Sequence, residues 1–161
     1  MKSFLTGLIL LVIIFIPFVF ISAAFCAEQK AGGKKAILVN VDEQKLQAVE
    51  NYKIVYEFDA VTGRPEKETE TGRYAITKKF KKYTSKTDNV PMPYSMFFSA
   101  DGKAIHGTEW ATVSSYLHTY PTESAGSQGC MGLTEEDAKM LFEWVPVGTP
   151  VVIIDVPEDK Q

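Results

Sequence analysis

Cysteine is nearly missing from this chain of 161 residues: Cys26 and Cys130 are the only two. Two cysteines cannot build the multi-bridge framework that staples small exported domains, so the fold must rest on a packed core. Histidine is equally rare, at His106 and His118, and no metal site or cofactor is expected. Only two of the 17 basic residues are arginines, Arg64 and Arg73, so few forks for carboxylates are on offer. No excess of positive charge exists either. The formal net charge is −3, which removes the bulk electrostatic reason to bind nucleic acid. No internal repeat is visible.

A long apolar run is present at the N-terminus. Lys2 is followed by an uncharged stretch from Leu5 to Ala27, with small residues Ser22, Ala23 and Ala24 near its end. This is the order of a secretory signal, and the run is also long enough to act as a membrane anchor. Residues 1–27 are therefore expected to be a cleaved signal peptide or a retained N-terminal anchor, the chain's only membrane contact. Phe25 before Cys26 argues against a lipoprotein site. Either outcome places the rest of the chain in the periplasm or cell envelope. Residues 28–35 read as a polar linker, residues 36–155 as one domain of ordinary size, and residues 156–161 as a polar tail.

Within the domain, Ala36–Val41, Lys45–Val49 and Tyr52–Phe58 read as three strands of an antiparallel meander. Thr71–Thr77 reads as a turn feeding a strand, and Lys103–Gly107 as a short strand ending at His106, where Gly107 lets the chain turn. Met92–Phe98 is apolar and aromatic. Lys78, Lys79, Lys81, Lys82 and Lys86 form a basic run, read as a solvated loop in preference to a polyanion landing patch. Residues 108–126 lack a period and read as a long loop. Thr134 caps a helix with Asp137 as its partner, Ala138, Leu141, Phe142 and Val145 share one face, and Val151–Ile154 forms a last buried strand. The sum is a mainly β domain with one late helix.

The segment Ser127-Gln128-Gly129-Cys130-Met131-Gly132-Leu133 concentrates the chemistry. A thiol on a Gly turn ahead of a helix is a candidate nucleophile, and it needs a base to become thiolate at neutral pH. His106, held on a strand, is the preferred base, and His118, in the loop, is a secondary candidate. The N–H groups around Gly129 and Cys130 are candidate oxyanion donors, with Ser127 and Gln128 as turn support. A buried, inert cysteine is the bland alternative.

The runs Ile105-His106-Gly107-Thr108 and Ser127–Leu133 resemble the signature of the L,D-transpeptidases, the YkuD-domain family. Thr69–Tyr74 and Met92-Pro93-Tyr94 are similar to family segments too, and the resemblance extends over about residues 36–155. It implies a β-sandwich catalytic domain acting on the tetrapeptide stems of peptidoglycan. Cys130 maps to the family's nucleophile and His106 to its base. The implied reaction is a thioester on Cys130 with release of D-Ala. Transfer to a stem amine then gives a 3→3 cross-link, and transfer to a protein amine tethers that protein. Transfer to water makes the enzyme an L,D-carboxypeptidase. The sequence departs from the family pattern in three ways: Gln128 stands where a histidine is frequent, Gly132 where arginine or asparagine is usual, and the His106–Cys130 interval is long. A catalytically weakened peptidoglycan-binding module is the non-enzymatic alternative. Papain-like proteases have the opposite Cys–His order, and sortases need an arginine after the cysteine, which this chain lacks.

Overall fold

The computed structural model describes residues 34–109 and 126–156, all within one compact unit, Gly32–Gln161. Cys26, His118, the N-terminal apolar run, most of the long loop and nearly all of the tail lie outside the described residues. Among those described, no helix is long and apolar enough to cross a membrane.

Among the described residues, two sheets and one α-helix share a single core. Strands β1 (Lys35–Asn40), β2 (Lys45–Glu50) and β3 (Lys53–Asp59) form the expected meander. Asn51 and Tyr52, both at positive φ, turn β2 into β3, the geometry that a two-residue hairpin of right-handed twist requires. β9 (Pro150–Ile154) runs parallel to β1, and β4 (Gly72–Ala75) is antiparallel to β9, giving the order β3-β2-β1-β9-β4. The apolar runs in β1 and β9 bury only alternate residues. Ile37, Val39, Val151 and Ile153 face the core, whereas Leu38 and Ile154 are exposed, so β9 is half buried and not fully enclosed.

The second sheet has the order β5-β6-β7-β8: β5 (Lys78–Phe80), β6 (Ser95–Phe97), β7 (Ala104–Thr108) and β8 (Met131–Thr134). β7 and β8 are parallel, paired Ile105 to Met131 and His106 to Gly132. One face of this sheet sends Met96, Ile105, Met131 and Leu133 into the common core. The opposite face carries a second, smaller cluster of Met92, Phe97 and Ala104, with Tyr83 and Cys130 packed against it.

Helix α1 (Glu135–Trp144) follows β8 directly. Thr134 Oγ1 accepts from the Asp137 N–H at 3.2 Å and donates to Asp137 Oδ2 at 2.6 Å, and three acidic residues fill the first turn, where the helix dipole favours them. Ala138, Leu141 and Val145 are buried in the core. The last turn has no basic residue of its own. Lys79 supplies the missing cation: its ammonium donates to the carbonyls of Phe142 and Val145 and lies 4.2 Å from the Phe142 ring centroid. The basic run is thus not simply a solvated loop. It opens with strand β5, whose alternation sends Lys79 to the helix and Lys78 to the other face.

Candidate active site

The β7–β8 pair sets the site. In a parallel pair, residues opposite each other project to the same face, and neighbours along a strand alternate. His106 lies opposite Gly132, and Cys130 is two residues before Gly132, so imidazole and thiol emerge on one face. The clusters agree, since Ile105 and Met131 enter the main core while Ala104 and Cys130 belong to the other face. His106 and Cys130 line the same cleft, of about 630 Å³.

Gly107 does not turn the chain, and His106 is not a strand end: the strand continues to Thr108. A Cβ at Gly107 would come within 3.1 Å of the Glu135 backbone and 3.3 Å of Ala138 Cβ. The glycine lets the start of α1 press against β7, and this contact fixes the strand from behind while the imidazole faces the cleft. Glycine at 107 serves helix packing and not a turn.

The imidazole is oriented by its own backbone. His106 Nδ1 lies 2.8 Å from the Gly107 carbonyl oxygen. A carbonyl can only accept, so Nδ1 carries the proton and Nε2 is left as the basic nitrogen. Burial holds His106 below its ordinary value near 6.5, partly offset by the Gly107 carbonyl. Burial likewise raises the Cys130 thiol. The Ala104 backbone amide opposes that rise, Asp101 adds to it, Lys103 opposes it and Asp88 adds to it. Burial therefore disfavours the charged form of each group.

The turn around Cys130 is pinned from several directions. Ser127 Oγ accepts from the Gly129 N–H at 3.0 Å and donates to the Cys130 carbonyl, so its hydroxyl braces the turn and not the histidine. Thr69 Oγ1, buried, accepts from the Gly63 N–H at 2.9 Å and donates to the Gly129 carbonyl at 3.2 Å. Gly132, buried, exchanges two backbone bonds of 2.9 Å with Val61. Gly129 has φ +96°, and a Cβ there would meet Lys103 Cε at 2.8 Å. Gln128 is exposed on the cleft rim. Sequence reading singled out the Thr69 segment but gave Thr69 no role at the turn, because its partner lies sixty residues away and no local pattern encodes the contact. No group of three or more potential metal ligands occurs among the described residues.

With this geometry in place, the comparisons with known proteins agree with one another. Residues 34–153 match the family model of the YkuD L,D-transpeptidase catalytic domain, and the chain belongs to that family. Among curated proteins, the probable L,D-transpeptidase 3 of Mycobacterium tuberculosis is 26% identical over 106 residues, covering 58% of this chain and 37% of that protein. The crystal structure of an L,D-transpeptidase (Yku) from Stackebrandtia nassauensis is 27% identical with a TM-score of 0.66, covering 84% of this chain and 63% of that one. L,D-transpeptidase 3 from Mycobacterium tuberculosis in complex with a faropenem-derived adduct shares the fold at 19% identity and TM-score 0.63, over 77% of this chain and 61% of that one. The chain thus spans less than two thirds of the length of each of these relatives. The mainly β fold, with two sheets and one α-helix among the described residues, is that of this family.

Proposed function

We propose that this domain is a cysteine acyltransferase of the cell envelope that acts on peptidoglycan stem peptides. The observation that carries the reading is the pairing of Cys130 and His106 on one face of the parallel β7–β8 pair, in one cleft, with the imidazole tautomer fixed by Gly107. Cys130 Sγ attacks the carbonyl of the third stem residue, a diamino acid, while Nε2 of His106 takes the thiol proton. The S–C bond forms as the carbonyl becomes an oxyanion. Because the Gly129 N–H is held by Ser127, the Cys130 N–H is the proposed oxyanion donor. Collapse breaks the C–N bond to D-Ala, whose nitrogen takes the proton from His106. An amine then attacks the thioester, loses its proton to His106 and regenerates the thiol. A stem amine yields a 3→3 cross-link, a protein amine tethers that protein, and water yields a shortened stem. The order of residues 1–27 and the family's wall substrate support an exported location, in the periplasm or attached to its inner membrane.

The test is a covalent adduct. Incubated with a carbapenem or with purified tetrapeptide muropeptides, the domain is expected to gain the mass of the acyl group, and Cys130→Ala to gain nothing. His106→Ala is expected to cut the rate far more than His118→Ala. No adduct, together with unaltered muropeptides, would sink the enzymatic reading and favour a binding module. A larger loss at His118 would move the base there.

A further inference from the structure

The cleft that holds Cys130 has a second end. Residues Lys78 and Phe97 are paired across β5 and β6, Phe97 and Ala104 across β6 and β7, and the β7–β8 register continues the line from Ala104 to Cys130. Lys78, Phe97, Ala104 and Cys130 form one row across the sheet. All four lie on the cleft side: Phe97, Ala104 and Cys130 share one cluster, and the Lys78 ammonium sits 4.8 Å from the Phe97 ring centroid. Lys78 and Cys130 both line the same cleft.

Charge distinguishes Lys78 from its neighbours. The cleft is lined by Arg64, Lys78, Lys86 and Lys103 against Asp88 and Asp101, a net positive region in a chain of net charge −3. Arg64 has Glu66 at 3.7 Å, and Lys103 is held between Glu70 at 3.4 Å and Asp101 at 3.5 Å. Among the described residues, Lys78 and Lys86 line the cleft with no carboxylate at ion-pair distance. Lys78 alone of these two is set on a strand and held against a ring, a cation–π arrangement that directs the charge without neutralising it.

We propose that Lys78 is a specificity-determining residue that binds a carboxylate of the donor stem remote from the reacting carbonyl. The inference rests on the acyl-transfer reading above and names what that cleft selects. Adjacent strands are about 4.8 Å apart, so the row places the ammonium roughly 10–14 Å from Cys130. The carboxylate of the departing D-Ala lies only about one residue, ~4 Å, from the reacting carbon, too near to reach it. Two other stem carboxylates reach: the one at the end of the side chain, in a stem whose third residue is a diamino diacid, and the one on the preceding residue. Each extends roughly 7–9 Å from the reacting carbon in an extended conformation, and an N–H···O contact of about 2.8 Å covers most of the remainder.

The experiment uses three tetrapeptide donors: unmodified, amidated at the diamino acid side-chain carboxylate, and amidated at the carboxylate of the preceding residue. Affinity is measured on the Cys130→Ala protein, which needs no turnover, and KM and kcat for D-Ala release on the active chain. One of the two amidated donors is expected to bind about tenfold more weakly, the scale of a lost charge-assisted contact, with the change in KM and not kcat. That donor identifies the carboxylate. Lys78→Met is expected to bind the unmodified donor about tenfold more weakly and to lose discrimination, Lys78→Arg to restore both, and Lys81→Met, an exposed lysine outside the cleft lining, to behave as wild type. Retained discrimination in Lys78→Met, or equal losses for Lys81→Met, overturns the assignment. Failure of all donors to release D-Ala counts against acyl transfer alone, because the binding series still reads the role of Lys78.

Discussion

The hydroxyl of Thr69 donates to the carbonyl of Gly129 at 3.2 Å while accepting from the Gly63 N–H at 2.9 Å. One buried side chain therefore ties the turn around Cys130 to the segment that follows β3. Thr69→Val keeps the shape and removes both bonds, leaving a part-buried N–H and a buried carbonyl less well satisfied. The expected cost is about 1–3 kcal/mol of stability, with slower acylation by a carbapenem. Chemical denaturation and adduct mass against time measure the two effects. Thr71→Val, at an exposed position, serves as the comparison, and equal behaviour of the two variants would remove the role given to Thr69.

Gly129→Ala meets backbone strain and close contacts, among them the Glu68 carbonyl oxygen at 3.2 Å from the new Cβ. The left-handed φ of +96° is costly for any side chain, and the new Cβ falls 2.8 Å from Lys103 Cε. The Lys103 end is flexible and able to move, so backbone strain is expected to dominate, at roughly 1–3 kcal/mol. Combining Gly129→Ala with Lys103→Ala should recover only a minor part of the lost acylation rate. Full recovery in the double variant would show that contact with Lys103, and not the backbone, requires glycine there.

Acid should expose the state of His106. Burial keeps its folded pKa below the ordinary value near 6.5, and only the neutral ring accepts the thiol proton. The acid limb of kcat/KM is expected to fall below pH 6.5, not at or above it. Between the two pKa values the unfolded chain binds the extra proton, so this residue's contribution to stability is lost as pH falls below about 6.5. The thiol works in the other direction. Raised by burial, Cys130 keeps its proton when the unfolded chain has lost it, so stability also declines as pH rises past the ordinary thiol range. His106→Gln should weaken the acid dependence of stability, and an unchanged profile would contradict the buried neutral imidazole.

Lys79→Met tests the borrowed helix cap. The ammonium serves carbonyls of Phe142 and Val145 that the helix cannot satisfy from its own last turn. Its removal is expected to lower stability by about 1 kcal/mol, with the exposed Lys139→Met near zero. A loss for Lys139→Met as large as for Lys79→Met would assign the effect to general charge.

Local chemistry wrote much of this protein into its sequence. The meander of β1 to β3 follows from alternating apolar residues, and α1 from Thr134, Asp137 and the spacing of Ala138, Leu141 and Val145. The turn around Cys130 was visible because small residues and a helix start flank the thiol. Neighbours in sequence encode such features, since periodicity and capping act within a few residues. Tertiary structure decided what depends on pairing over long separations. It laid β9 parallel to β1 and β8 parallel to β7, and so put His106 on the same face as Cys130. It gave Gly107 to the packing of α1, Thr69 to the turn around Cys130 and Lys79 to a distant helix end. Within one basic run, it set Lys78 toward the cleft and Lys79 toward the core. The pleat alternates every residue, but only the sheet's packing fixes which face meets the core and which faces the cleft.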